Sequence, residues 1–363
     1  MGIRIQSFLQ LFLSSLIYWL LAFVFFIAIR YNGLIEELAI YTDEDLGLPI
    51  FAYYKYGLIL GLLIGVFYAL IEYLFDEHIS KKLSLGFSLI TKSFVYLILI
   101  IIVLSLMSFR IEEQIDIDLP NEKGWWRTDP FFWNTVIYFV SASIVFSFIR
   151  IANDKFGRGM FINILLGKYR KPREEERILM FLDLKNSTKI AEKLGHVSYS
   201  KFIQDCFTDL NKVLNRHDAE VYQYVGDEAV VTWSEKKGFD KNNCVNLYLA
   251  FKDKLKKRND HYISNYAFQP IFKAGIHFGK LMIAEVGTIK KEIAYHGDVI
   301  NTASRIQNLC KTYDATLLAS ETVLKNIKNK KQYLIESKGS IKLKGKEKAT
   351  EIFSISEIND NKL

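Results

Sequence analysis

Cysteine is scarce in this sequence, with three residues among 363. Cys206, Cys244 and Cys310 lie far apart and lack CxxC spacing, so we expect reduced thiols and neither a disulfide framework nor a zinc site. The sequence also lacks internal repeats, low-complexity tracts and any recognisable nucleic-acid-binding module. We therefore attribute the formal net charge of +7 to solvated surface and to the flanks of apolar segments, and expect no nucleic-acid partner.

Hydrophobic residues make up 50% of the chain, and the mean hydropathy of +0.10 is too high for an ordinary soluble protein of this length. Four apolar segments reach the ~20 residues needed to cross a bilayer. They are Phe8–Ile29, Tyr53–Phe75, Leu85–Phe109 and Phe131–Ile149. The first lacks an A-x-A cleavage site and has too long an apolar core for a signal peptide, so we expect it to be retained. Residues 1–150 are thus predicted to form a four-helix transmembrane anchor or sensor domain.

Charges in the connecting loops predict the orientation of these helices. The first loop, Asn32–Ala52, is acidic and contains no Lys or Arg, whereas many basic residues follow the fourth segment. These are Arg150, Lys155, Arg158, Lys168, Arg170, Lys171 and Arg173. The positive-inside rule predicts a multi-pass protein of the cell inner (plasma) membrane, with both termini and the C-terminal half in the cytoplasm. Glu72 and Lys92 lie near segment ends, and we expect both to snorkel towards the interface; the alternative is that they form a buried functional pair.

Residues 151–176 are predicted to be a cytoplasmic connector. Apolar residues recur at helical spacing over Phe156–Leu166, and Pro172 then breaks the pattern. Two roles are open for this short helix. It is either a plain tether, or a helix that packs against its mate in a dimer and passes on motion.

The C-terminal half alternates strand and helix patterns. The predicted strands are Ile178–Leu184, Glu220–Tyr224, Ala229–Trp233, Phe272–Phe278 and Leu281–Val286, with short strands following to Ile355. The predicted helices are Ser198–Arg216, Asn243–Lys257 and Val299–Thr312. This order predicts an α+β sandwich in which helices cover an antiparallel sheet.

Two aspartates occupy the ends of predicted strands in this half. Asp183 closes the apolar run that begins at Ile178, and Asp227 lies in the turn of the predicted hairpin. Each alone suits a structural role, a helix cap for Asp183 and a tight turn for Asp227. Together, carboxylates at strand ends can hold two hard cations. Asn301 and Arg305 share one helical face and can hold a charged transition state, so the set indicates metal-dependent chemistry on a nucleoside triphosphate.

Five motifs in this half resemble those of class III nucleotidyl cyclases, the adenylate and guanylate cyclases. They are Phe181–Thr188, Val225–Asp227, Gly275–Gly279, Gly297–Arg305 and Ile341–Lys346, within a match over about Glu176–Ser356. The resemblance implies a membrane-anchored bacterial type, with an α-helical transmembrane domain of four helices before an α+β, ferredoxin-like catalytic domain. We expect that domain over residues 177–357 and a C-terminal tail at 358–363. The implied reaction is attack of the 3′-hydroxyl of a nucleoside triphosphate on its own α-phosphate, with release of pyrophosphate.

The resemblance also implies roles for single residues. It assigns two Mg²⁺ (or Mn²⁺) ions to Asp183, Leu184 and Asp227. Asn301 would orient the ribose, Arg305 would stabilise the pentavalent phosphorus, and Lys344 would grip the terminal phosphates. In the family the metal residues and the Asn/Arg pair act across a subunit interface, which implies a head-to-tail homodimer with two equivalent sites.

The residues at the base-selecting positions depart from the family's pattern. Adenylate cyclases usually have Lys, and guanylate cyclases Glu, at the position where this chain has Gln223; the partner position, usually Asp or Thr for adenine, aligns with Ala294. A Gln amide both donates and accepts hydrogen bonds, whereas Ala294 offers only its backbone carbonyl. The lack of the guanylate-type Glu favours ATP, and hence an adenylate cyclase forming 3′,5′-cyclic AMP. The alternatives are a guanylate or pyrimidine nucleotide cyclase, or a catalytically inactive membrane signalling receptor.

Overall fold

The computed structural model describes residues 2–41, 50–78, 83–115, 127, 130–157, 160–342 and 349–358. It divides into two units, Met1–Lys155 and Phe156–Leu363. The first is helical, and the second combines a mixed sheet with helices, as the resemblance implies.

Long apolar helices make up the N-terminal unit. They are α1 (Gly2–Tyr41), α2 (Ile50–His78), α3 (Leu85–Ile115) and α4 (Pro130–Phe156). Each contains 18–22 consecutive residues that are apolar enough to cross a membrane, which agrees with the four predicted segments. Aromatic rings pack between the helices: the buried ring of Trp19 lies 5.2 Å from that of Tyr68 and 6.1 Å from that of Phe139. Apolar side chains such as Phe25 and Phe148 are exposed on the outside of these helices.

Glu72 and Lys92 form a buried ion pair, so the expectation that they snorkel separately is wrong. The Lys92 Nζ lies 2.7 Å from the Glu72 carboxylate, which is 1% exposed. Arg150 also pairs with this carboxylate, and the Tyr96 hydroxyl donates to it at 2.6 Å. The cluster joins α2, α3 and α4. A buried charge must be paired to be tolerated, and the rotation of the three helices brings the partners together.

An eight-stranded sheet organises the C-terminal unit, in the order β2-β3-β1-β4-β6-β8-β7, with β5 paired to β4. The strands are β1 (Arg173–Leu184), β2 (Glu220–Val225), β3 (Glu228–Ser234), β4 (Phe272–Val286), β5 (Glu292–His296), β6 (Leu317–Ser320), β7 (Tyr333–Ile341) and β8 (Thr350–Glu357). The helices are α5 (Met160–Leu165), α6 (Ser187–Leu214), α7 (Glu235–Phe239), α8 (Asn243–Lys257), α9 (Asn259–Tyr266), α10 (Asp298–Leu309) and α11 (Glu321–Asn326).

Strand β4 differs from the expectation of two strands joined at Gly279-Lys280. It runs unbroken for 15 residues, because Gly279 and Lys280 stay in register with Arg177 and Glu176 of β1. The sheet is also not wholly antiparallel, since β4 and β6 pair in parallel. The chain between them contains α10, the kind of crossover that a parallel pair needs.

Both faces of the central strand β1 are buried. Ile178, Met180 and Leu182 belong to the main core, which includes residues of α6 and α8. Leu179 and Phe181 point to the opposite face, in a cluster that includes residues of α10. Burial on both faces explains the continuous apolar run before Asp183.

Helix α6 begins at Ser187 and not at the predicted Ser198, because it bends at Gly195 (φ 70°) and continues through a break in the sequence pattern. Helix α8 has the predicted bounds, Asn243–Lys257. All three cysteines are free and buried, as expected.

Candidate active site

Asp183 lies near the C-terminal end of the central strand β1, at the edge of the sheet formed by the strand ends. Its register partners are Glu228 on β3 and Lys273 on β4. Its carboxylate accepts a hydrogen bond from the side-chain amide of Gln307 at 3.3 Å. Burial raises the pKa of Asp183 and the nearby Asp227 charge raises it further, against the opposing effects of Gln307 and Lys273. Asp183 is therefore a half-buried carboxylate for which a cation would be a favourable neighbour.

Asp227 occupies the second position of the two-residue turn between β2 and β3. Gly226 takes the first position with φ 59°, a left-handed conformation that glycine adopts without strain. The turn brings Asp227 beside Asp183 and Glu228. Burial raises the pKa of Glu228, with further contributions from the Asp183 and Asp227 charges. Burial likewise raises the pKa of Tyr199 to about 12, with Asp227 as the next cause. Negative charge is thus concentrated at this edge of the sheet.

The donor set at this edge fits a hard divalent cation. Asp183 and Asp227 supply carboxylate oxygens, the ligands that Mg²⁺ prefers, and a cation would relieve the repulsion between them. Leu184 is 1% exposed and apolar, so only its main chain can offer an oxygen. No group of three or more His, Cys, Asp or Glu side chains suited to a metal occurs in the described ranges. The two aspartates are the carboxylates that the end of β1 and the β2–β3 turn bring together here.

Helix α10 presents Asn301 and Arg305 away from its packed face. Val299 and Ala303 are buried against the sheet, whereas Asn301 is exposed and Arg305 partly exposed. Among the described residues, Arg305 has no carboxylate partner and the Asn301 side chain makes no hydrogen bond. No contact in this part of the chain joins either one to Asp183 or Asp227. The pair therefore lies on the face of α10 that does not pack on the sheet.

A glycine permits α10 to approach the sheet closely. A Cβ at Gly275 on β4 would lie 2.2 Å from the backbone nitrogen of Gln307, a distance that no side chain could tolerate. The close approach places Gln307 within reach of Asp183 on the neighbouring strand β1. The motif Gly275–Gly279 thus has a local physical role in building the site.

The two positions to which the family resemblance assigns base selection lie on different strands. Gln223 is exposed on β2, and Ala294 is half-buried on β5, where it pairs with Ala284. The residues beside them, Tyr222 and Tyr295, are in direct contact. Lys344 lies outside the described residues.

Three residues near Asp183 were not predicted from the sequence. Glu228 directly follows Asp227 in the sequence, but only the register of β1 with β3 shows that it lies opposite Asp183. Gln307 follows Arg305 by two residues, but only the packing of α10 on β4 shows that it reaches Asp183. Tyr199 carried no signal, because its approach to Asp227 depends on the course of α6 after the bend.

Comparison with known proteins agrees with this arrangement. The model for the adenylate and guanylate cyclase catalytic domain matches residues 170–356, slightly more than half of the chain. Adenylate cyclase 2 of Rhizobium meliloti (strain 1021) is 28% identical over 222 residues, which cover 61% of this chain and 61% of that protein. An adenylate cyclase of Anabaena cylindrica is 25% identical over 188 residues, covering 49% of this chain and 36% of that protein. The chain thus spans less than two thirds of the length of either relative.

A solved structure shares the fold. A bacterial light-regulated adenylyl cyclase superposes with a TM-score of 0.53 at 18% identity, covering 66% of this chain and 72% of that one. The family match, the order of the motifs and the placement of Asp183, Asp227 and α10 lead to one conclusion. This chain belongs to the adenylate and guanylate cyclase catalytic domain family.

Proposed function

We propose that this protein is a membrane-bound adenylate cyclase that converts ATP to 3′,5′-cyclic AMP and pyrophosphate in a homodimer. The observation that carries the proposal is the meeting of Asp183, near the end of β1, with Asp227 of the β2–β3 turn, where burial and the Asp227 charge raise the pKa of Asp183. Such a pair is costly unless cations bind it. The similarity to adenylate cyclases of two bacteria supports ATP as the substrate.

Asp183 and Asp227 would hold two Mg²⁺ or Mn²⁺ ions, together with a main-chain oxygen of Leu184. When bound, the ions would neutralise phosphate charge and lower the pKa of the 3′-hydroxyl. Gln307 orients the Asp183 carboxylate by its hydrogen bond, and Leu184 donates a backbone N–H to the same carboxylate. These contacts fix the direction in which the carboxylate presents its oxygens.

Arg305 and Asn301 would complete the site of a second copy of the chain. Arg305 is without a carboxylate partner among the described residues, so its guanidinium is free to stabilise charge on phosphorus. Asn301, one turn earlier, would orient the ribose. Lys344 would bind the terminal phosphates. A head-to-tail homodimer gives each of two equivalent sites the aspartates of one chain and α10 of the other.

The N-terminal unit would anchor this enzyme in the cell inner (plasma) membrane, or act there as a sensor. Its four membrane-capable helices support the first part of this proposal. The charge pattern of the loops supports a cytoplasmic position for both termini and for the catalytic domain at 177–357. Residues 151–176 would then connect the two domains.

Base selectivity separates this proposal from its main alternative. Position 223 is Gln and not the Glu of guanylate cyclases, and this difference favours ATP. Position 294 is Ala, which has no acidic or hydroxyl group of the kind usual for adenine. A guanylate or pyrimidine nucleotide cyclase is thus the second candidate. An inactive signalling receptor is less favoured, because both aspartates and Arg305 are present.

The test uses the full-length protein in native membranes or nanodiscs with Mn²⁺. Each of the four ribonucleoside triphosphates is supplied in turn, and products are identified by mass. We expect cyclic AMP as the main product, and none from a matched Asp183→Asn preparation. Preferred formation of another cyclic nucleotide would establish the second candidate. No product from any triphosphate, in protein that binds nucleotide, would overturn the enzymatic proposal.

A further inference from the structure

Strand β2 contains a bulge immediately before Gln223. The register of β2 with β3 pairs Val221 with Val231 and then Gln223 with Val230, so Tyr222 has no partner in the ladder. A bulge bends its strand and changes the direction in which the next side chain points. The direction of the Gln223 side chain therefore depends on the backbone conformation at Tyr222.

The ring of Tyr222 is stacked on that of Tyr295. The ring centroids are 4.1 Å apart and the planes are inclined by 19°. The backbone N–H of Tyr295 also donates a hydrogen bond to the Tyr222 hydroxyl oxygen at 3.2 Å. Strands β2 and β5 are not neighbours in the sheet, so these contacts tie together two strands that hydrogen-bonded pairing does not join.

A partly buried group of charges centred on Arg177 lies next to this stack. Tyr295 is 5% exposed, and the Arg177 guanidinium lies 6.0 Å from the centre of its ring. Arg177 is itself buried, and it donates to Glu175 at 3.0 Å and to Glu220 of β2 at 3.1 Å. Ion pairs that are partly buried and make several hydrogen bonds resist displacement, because a displaced charge loses its partners. Tyr295 is therefore in contact with both Tyr222 and Arg177, and each contact restricts its position.

We infer that Tyr222 and Tyr295 are positioning residues for base selection, because their stack sets the separation and direction of Gln223 and Ala294. This inference rests on the proposed function, in which those two positions face the base. Ala294 offers no polar side chain, so recognition depends on the Gln223 amide and on a backbone carbonyl. Both are directional groups whose hydrogen bonds weaken when they are displaced or rotated. The contacts between Tyr222 of β2 and Tyr295 of β5 keep the Gln223 amide and the Ala294 carbonyl in position.

The experiment compares substitutions of Tyr222 in the full-length protein in nanodiscs, with kcat/KM measured for ATP and for GTP. Tyr222→Leu removes the stack and the hydroxyl acceptor, whereas Tyr222→Phe keeps the ring. We expect Tyr222→Leu to lower the ATP-to-GTP ratio about fivefold to tenfold, the scale of one weakened hydrogen bond. The change in Tyr222→Leu should appear mainly as a higher KM for ATP. Tyr222→Phe, which keeps the ring, should retain most of the wild-type ATP-to-GTP ratio.

Tyr224→Leu is the matched control. Tyr224 also flanks Gln223 on β2, but its ring packs on Phe207 and its hydroxyl donates to Asn211 of α6, so it has no part in the link to β5. Its substitution should leave the nucleotide ratio unchanged. An unchanged ratio in Tyr222→Leu overturns the inference, as does an equal shift in Tyr224→Leu or a uniform loss of kcat for both nucleotides.

A binding measurement separates this inference from the proposed function. Affinities for 3′-deoxy-ATP and 3′-deoxy-GTP, which cannot cyclise, report base preference without turnover. A wild-type protein without cyclase activity but with a binding preference that Tyr222→Leu weakens would contradict the proposed reaction and support the positioning role. A cyclase whose binding preference survives Tyr222→Leu would do the reverse.

Discussion

The side-chain amide of Gln307 donates to the Asp183 carboxylate at 3.3 Å and thereby joins α10 to the end of β1. Gln307 is only 5% exposed, and Gly275 provides the space that this contact requires. The helix that presents Arg305 and the strand that presents Asp183 are consequently one rigid arrangement within each chain. In a homodimer this would fix the two half-sites of a chain relative to each other.

Substitution of Gln307 should weaken metal use. Gln307→Leu removes the donor that orients Asp183 and lowers its pKa, so the carboxylate should bind a cation less readily. We expect the Mn²⁺ concentration for half-maximal activity to rise about tenfold, with kcat largely recovered at high Mn²⁺. Asn308→Ala is the control, because Asn308 is exposed and donates only to the Ser304 carbonyl. An unchanged Mn²⁺ dependence would show that Gln307 has only a packing role.

The charge of Asp183 should destabilise the metal-free fold. Its folded-state pKa is raised, so the folded state takes up a proton more readily than the unfolded state. The unfavourable contribution is absent below the unfolded pKa and develops as pH rises through the folded one. With EDTA present, Asp183→Asn should therefore raise the melting temperature at pH 8, and this gain should vanish on acidification below the usual carboxylate pKa.

Added Mn²⁺ reverses the comparison. The cation should stabilise the wild type by binding the folded state alone, and should stabilise Asp183→Asn much less. Melting curves with EDTA and with Mn²⁺ measure both effects. A lower melting temperature for the variant than for the wild type, in EDTA at pH 8, would contradict the interpretation that the charge of Asp183 destabilises the metal-free fold.

Complementation tests whether two chains share each site. Asp183→Asn lacks a metal ligand and Arg305→Ala lacks the phosphate cation, so each homodimer should be inactive. A mixed dimer would contain one intact site, and an equal mixture should recover about a quarter of wild-type activity if chains pair at random. Two affinity tags identify the mixed dimers before assay. Mixed dimers without activity would place the aspartates and Arg305 of one chain in the same site.

The ion cluster of the helical unit gives a prediction about stability. Glu72→Gln leaves Lys92 and Arg150 beside a neutral group, and loss of a buried partner typically costs about 3–5 kcal/mol. We expect the variant to unfold at lower denaturant concentration in detergent. The double variant Glu72→Gln/Lys92→Met should recover part of the loss, because one unpaired charge is removed with its partner. Equal stability of both variants would show that Lys92 and Glu72 are not coupled.

Sequence patterns predicted where Asp183 and Asp227 lie in the fold better than they predicted the contacts that these residues make. Asp183 follows a run that is apolar because both faces of β1 are buried, and Asp227 follows a glycine that favours a tight turn; both signals are local. The link from Gln307 to Asp183 depends on how α10 packs on β4, which sequence spacing does not encode. The contact of Glu72 with Lys92 depends likewise on helix rotation.

The contact between Tyr222 and Tyr295 could not be predicted from the sequence for a related reason. A bulge shifts the side-chain alternation of a strand by one residue, and the periodicity of β2 gave no indication of it. The sequence predicts two strands in place of β4, because a glycine within a strand pattern usually marks a turn. In the structure the strand is continuous, and Gly279 leaves room for Val299 of α10.

Base preference gives the last prediction. Gln223→Lys paired with Ala294→Asp introduces the residue types usual in adenylate cyclases, at positions beside the Tyr222–Tyr295 stack. If both face the base, selectivity should change more than the chemical step, because the metals and Arg305 act on phosphate and ribose. An added hydrogen bond to adenine is worth ~1 kcal/mol, and more where a buried partner would otherwise stay unpaired. A gain near the ~1.4 kcal/mol of one decade would raise the ATP preference roughly tenfold. Side-by-side kcat/KM values for ATP and GTP in the wild type and the double variant measure it. An unchanged ratio would mean that the protein selects its base elsewhere, and Gln223 and Ala294 would lose their assigned role.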